Sequence, residues 1–152
     1  MINHQRQKEK DILIRLILST LLFWFAFQAS ANSFAVITLN PDLKALRSNQ
    51  VKLLYRGRVS HVNGIPVRLL DLPRDSENRE YFYRKLLNKS PTQMSAIWAK
   101  LSFSGKAIVP VELPDESLEL ILHWLENNAN GIAYVPKELL PEDAYVIYQL
   151  AD

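Results

Sequence analysis

Residues able to hold an oxyanion gather between Pro66 and Pro91, in the run PVRLLDLPRDSENREYFYRKLLNKSP. Arg74 and Arg79 could supply charge-assisted hydrogen bonds, Ser76 a hydroxyl donor and Asn78 an amide donor. The β-branched and leucine-rich stretch Val67 to Leu72 predicts a strand, Pro73-Arg74-Asp75 a turn, and Ser76 the cap of a helix. A strand that turns directly into a helix leaves backbone N–H groups free to face an anion. The same residues have a plainer reading, in which Ser76 only caps the helix and both arginines are solvated. Asp71, Asp75 and Glu77 lie close by. Paired carboxylates can do acid–base work, but a cap and its dipole partner explain these three more simply.

Other chemistry is sparse. Histidine occurs at positions 4, 61 and 123, without HxxxH or HxH spacing, and there is no cysteine, so a zinc site is not expected. His61 lies in an arginine-rich loop and could join an anion site, whereas His123 reads as a surface or packed helix residue. Nucleophile-elbow, Walker and G-x-G-x-x-G patterns are absent. The sequence therefore predicts no catalytic residues, no metal and no cofactor: a binding protein, not an enzyme.

The elements that must position the turn follow from periodicity. Phe34 to Leu39 is a short apolar run that predicts a buried strand, closed by Asn40-Pro41-Asp42. Leu43 and Leu46 suggest one helical turn. Ser48 is the expected cap of a short helix over residues 49–56, with Val51, Leu54 and Tyr55 on its apolar face and Gly57 at its C-terminal stop. Asn63-Gly64 marks a tight turn, and Pro66 belongs at a strand's first position or on an edge. After the Ser76 helix, Ser90-Pro91 starts another, whose stripe of Met94, Ile97, Trp98 and Leu101 predicts core packing. Ile108 to Leu113, interrupted by Pro110, predicts an edge strand. Asp115 is the expected cap of the next helix, with Glu116 and Glu119 in its first turns. Residues 131–135 and 144–150 complete the strands. This alternation predicts an α/β layer: a mostly parallel sheet of about four to five strands flanked by helices. In such a sheet Thr38 and Asn40, at the end of the first strand, would fall near the Ser76 turn.

The first thirty-one residues read as a leader. Arg6, Lys8, Lys10 and Arg15 precede twelve uncharged residues, Leu16 to Phe27, and Ala29-Ser30-Ala31 supplies a cleavage site before Asn32. An uncleaved membrane anchor is the alternative, and both readings export the rest. With no cysteine to carry a lipid or a disulfide, the expected location is a bacterial periplasm. Residues 32–152 then form one domain, not inserted in the membrane once the leader is cleaved. That domain carries 14 basic and 14 acidic residues, unevenly spread. Residues 44–89 hold eleven Lys and Arg against four Asp and Glu, and residues 100–152 hold three against nine. The basic half could draw an anionic ligand. The overall neutrality argues against nucleic acid.

Several segments in order resemble the small exported proteins related to phosphate ABC transporter substrate-binding proteins, within the type II periplasmic binding protein superfamily. SNQVKLLYRGR resembles that family's short helix ending in an aromatic, a basic residue and glycine. DLPRDSENREYFYRKLLNKSP resembles its strand–turn–helix phosphate loop, and IWAKLSFSGKAIVPVEL and NGIAYVP its later helix and glycine–tyrosine strand. The resemblance spans roughly Phe34 to Pro136. It implies a single lobe of a two-lobed fold and a small anion, such as phosphate, at Arg74, Ser76, Asn78 and Arg79, with Thr38 nearby. Relatives carry Ser-Gly-Thr at the turn, where this chain has Ser76-Glu77-Asn78. The Glu77 carboxylate competes with an anion for the same N–H groups. A second implied role is a ligand-free module that docks on a membrane sensor, a porin or a transport component.

Overall fold

The structure, a computed structural model, describes residues 33–151. The leader assigned to residues 1–31 lies outside the described residues. Strands and helices alternate as the periodicity predicts: β1 (Phe34–Thr38), α1 (Ser48–Tyr55), β2 (His61–Val62), β3 (Ile65–Pro66), β4 (Arg68–Asp71), α2 (Glu77–Leu87), α3 (Pro91–Phe103), β5 (Val111–Glu112), α4 (Leu118–Glu126), β6 (Gly131–Pro136) and β7 (Tyr145–Leu150). A single 3₁₀ turn, Lys137–Leu139, joins the last two strands. No helix of the described residues is long and apolar enough to cross a membrane.

Five strands form one sheet in the order β5-β4-β6-β1-β7, and β2 and β3 make a separate hairpin. Strand β4 is parallel to both β5 and β6, whereas β1 is antiparallel to both β6 and β7. Four of the five strands thus run one way, as expected, and β1 alone runs against them. The β2–β3 hairpin turns at Asn63 and Gly64, both at positive φ (50° and 83°), as a tight asparagine–glycine turn requires.

Burial explains the strands. Every residue of β1 is buried, and in β6 only the final Pro136 is half-exposed, as central strands covered on both faces should be. Strand β5 keeps only two residues because Pro110, just before it, has no N–H to give a ladder. It sits at an edge, where such a sequence is tolerated. Aromatic rings knit the helices to the sheet. Phe82 of α2 stacks on Tyr134 of β6 with centroids 3.7 Å apart, and Tyr55 of α1 meets Phe82 edge-on at 5.0 Å.

Three local expectations are corrected. Leu43 and Leu46 are buried in an irregular segment, with Leu46 N–H donating to the Ile147 carbonyl, so no helical turn forms there. At α1 the cap position is Arg47 instead of Ser48, and the Gln50 side chain reaches back to accept from the Arg47 N–H at 2.9 Å. At α4 the cap is Ser117, not Asp115. Asp115 instead accepts from the Ser117 N–H at 2.8 Å, so Glu116 falls before the helix. That two-residue shift decides what Glu116 can reach.

Gly57 ends α1 at φ 66°, and α3 packs directly over it. A Cβ there would lie 2.7 Å from Leu101 Cδ1 and 2.8 Å from Trp98 Cζ3. Gly57→Ala should therefore combine left-handed strain with overpacking and cost about 1–3 kcal/mol. Urea unfolding checks this. An unchanged midpoint would mean that α3 does not press on the α1 terminus.

Candidate functional site

The turn predicted to hold an anion is built as the sequence suggests. Strand β4 ends at Asp71, and Leu72 to Asp75 lead to Ser76, whose Oγ accepts from the Arg79 N–H at 3.0 Å to cap α2. Carboxylates of the chain itself, at two places, then take up the donors that an external anion would need.

The first lies beneath the turn. Arg79 is 5% exposed, and its guanidinium is held between Asp71 and Glu112, which sit side by side on the paired strands β4 and β5. Its Nη2 donates to Asp71 Oδ2 at 2.9 Å, and its Nη1 to Glu112 Oε2 at 2.8 Å and to the Leu72 carbonyl at 2.9 Å. Asp71 is saturated with donors: Tyr134 Oη at 2.6 Å and Leu72 N–H at 3.0 Å on Oδ1, with Tyr83 Oη at 2.7 Å on Oδ2. Burial pushes the Asp71 carboxyl above the usual carboxylate range, and Arg79 and the hydrogen bonds offset this only in part. Burial works against the Arg79 charge, but Asp71 and then Glu112 outweigh it and raise its pKa further. Tyr83 and Tyr134 are raised well above the ordinary tyrosine value, first by burial and then by the Asp71 charge. Both hydroxyls stay protonated and serve as donors.

The second lies on the face of the turn. Ser76 Oγ donates to Glu116 Oε2 at 2.7 Å, and Asn78 Nδ2 donates to the same oxygen at 3.1 Å. Glu116 thus takes the two donors that the sequence assigns to an oxyanion. The shallow depression here is lined by Asp75, Glu77, Asp115 and Glu116 with Ser76 and Asn78, and no lysine or arginine lines it. Its field repels an anion.

The predicted site residues are therefore only partly brought together. Ser76 and Asn78 converge on one oxygen, that of Glu116. Arg79 is buried in the ion pairs below them. Arg74 points to solvent with a 78% exposed side chain, 3.9 Å from Glu112. Thr38 is buried, and its Oγ1 accepts from the Asn40 N–H at 3.1 Å, while Asn40 Nδ2 donates to Asn130 Oδ1 at 2.8 Å. Because β1 runs against β4, its start at Phe34, not its end at Thr38, lies at the Ser76 end of the sheet. The reversed strand carries Thr38 and Asn40 away from the turn. Sequence reasoning missed Glu112 and Glu116 as partners. The signal for Glu116 was its place just before a Ser117 cap, which frees its side chain to cross to α2.

No protein-family model and no curated protein matches the sequence. Among solved structures, the chain is similar to a protein from Clostridium perfringens assigned as a phosphate ABC transporter substrate-binding protein and solved with bound phosphate. That likeness has a TM-score of 0.56 at 20% identity and covers 76% of this chain and 44% of the other. An ABC-type phosphate transport receptor from Vibrio cholerae matches with a TM-score of 0.56 at 12% identity, covering 76% and 45%. The two share a fold with this chain. The chain spans less than half the length of either, in keeping with a single lobe of the fold.

Arg79→Ala should leave Asp71 buried without a counter-charge and cost about 3–5 kcal/mol of stability. A loss below about 1 kcal/mol in chemical denaturation would show that the cluster is not what holds the turn. The raised Asp71 pKa sets a pH dependence. Ionising Asp71 costs more in the folded than in the unfolded state, so the folded state binds the proton more tightly and its stability falls as pH rises. The stability of wild type relative to Asp71→Asn should fall from about pH 4, the ordinary value of 3.8, up to the raised folded value, then level off. A difference that rises across this window would reverse the sign assigned to the carboxyl.

Proposed function

We propose that this chain is an exported lobe of the solute-binding type that acts by docking on a protein, with its oxyanion position held by its own Glu116. The observation that carries this reading is the Glu116 carboxylate on the Ser76 hydroxyl and the Asn78 amide, at 2.7 and 3.1 Å. Those are the donors assigned to phosphate from the sequence. A buried Arg79 committed to Asp71 and Glu112 supports the same reading, since it has little charge to lend a ligand. The leader and the absence of cysteine favour a periplasmic setting, and a membrane sensor, porin or transport component is the class of partner. The binding proteins that share the fold favour a binding role over an enzymatic one.

A second reading rests on the fold shared with a structure holding phosphate. In it, phosphate displaces Glu116 and binds Ser76, Asn78 and the free N–H groups of α2, with Arg74 swinging in from solvent.

A thermal-shift titration with phosphate and sulfate separates the two. Ligand binding to the folded state raises Tm saturably. The docking reading expects a flat response for wild type. A saturable rise that disappears in Ser76→Ala would overturn it in favour of the phosphate reading. Independently of either, Ser76→Ala removes a helix cap and should cost about 1 kcal/mol. An unchanged Tm without ligand would count against the cap.

A further inference from the structure

A second concavity of the described residues lies away from the Ser76 turn. It is a recess of about 90 Å³ between the end of α1, the start of β4, α3 and the segment leading to β5. Leu54, Val67, Leu69 and Trp98 supply apolar wall, and Arg58, Arg68 and Lys106 line it with no acidic residue among them. Among the described residues these three cations make no side-chain ion pair. The contrast with the Ser76 turn is complete. There the lining is acidic, and here it is basic.

Trp98, 4% exposed, is part of the wall, and the rim is open to solvent. Around the mouth, apolar side chains stand in solvent: Val59 is 40% exposed, Val109 44% and Ile108 74%. Large exposed apolar side chains grouped in this way mark an interaction surface.

We infer that this recess is a docking site for an acidic peptide segment of a partner protein, which inserts one aliphatic side chain between Trp98 and Leu69 and sets its carboxylates against Arg58, Arg68 and Lys106. The inference rests on the reading of the chain as a partner-binding module. Size selects the inserted group. A cavity that holds benzene has about 150 Å³, so 90 Å³ suits a single aliphatic side chain and not a whole solute. The exposed rim extends the contact well beyond what a small anion could cover. Charge selects the flanks, because three unpaired cations steer and orient an acidic segment.

The test follows the Trp98 indole N–H by two-dimensional NMR, its signal identified by loss in Trp98→Phe. The probe is an acetylated heptapeptide alternating aspartate and leucine. We expect a saturable shift that weakens with added salt and is at least about tenfold weaker in an Arg68→Glu/Lys106→Glu double variant with an unchanged circular dichroism spectrum. The same peptide with lysine for aspartate should give no shift. Absence of a saturable shift overturns the inference. So does an equal shift with butyrate or inorganic phosphate, which would make the recess a small-anion site. An equal shift with phosphatidylglycerol vesicles would make it a membrane contact and overturns it too. Pull-down from a periplasmic extract keeps this failure apart from failure of the module reading. A partner held equally by wild type and the double variant would leave the module reading standing and remove this surface from it.

Discussion

One ion pair fixes the upper end of the sheet. The Arg79 guanidinium, inside the protein, bridges Asp71 of β4 to Glu112 of β5, and Tyr83 and Tyr134 add hydroxyl donors from α2 and β6. Removing any one member strands a buried charge or hydroxyl, so four elements are locked into one arrangement. The cap at Ser76, the exposure of Arg74 and the height of the turn above the sheet follow from where that arginine is held. Stability gained in this way also fixes what the turn can do. An arginine neutralised by two carboxylates gives little field to the surface above it, and the surface above it is acidic.

Much of this was legible from the residues. The hydrophobic stripe of α3, the serine–proline start of that helix, the asparagine–glycine hairpin and the five strands all appear where periodicity and turn chemistry put them. These are local signals, and local physics decides them. The direction of β1 was not legible. Phe34 to Thr38 reads the same whether it runs with its neighbours or against them, because direction is set by partners about a hundred residues away. That is why Thr38 was assigned to the wrong end of the sheet. The roles of the arginines were hidden for a similar reason. Arg74 and Arg79 look alike in sequence, but α2 turns Arg79 inward and the loop leaves Arg74 in water.

Charge was the most instructive misreading. The excess of lysine and arginine in residues 44–89 points to the strand–turn–helix, which carries Arg68, Arg74, Arg79, Arg84 and Lys85. The fold distributes it otherwise. Acidic residues of the second half, Glu112, Asp115 and Glu116, fold back onto that turn, whereas Arg58 and Arg68 are left facing Lys106 around a recess. Opposite charges separated along the chain thus cancel at one place and add at another. Only the three-dimensional pairing says which is which.

The reversed strand has a consequence for how this chain comes to be folded. β1 is the first described strand, yet it lies inside the sheet, and its neighbours on both sides are β6 and β7, the last two. Until residues 131–150 are present, β1 has no strand to pair with on either side, and its buried apolar residues have nothing to close over them. Assembly is therefore dominated by long-range contacts, which slows folding. The sheet cannot close around β1 until those residues are in place to pair with it. The same antiparallel strand that removes Thr38 from the turn thus ties closure of the sheet to residues 131–150.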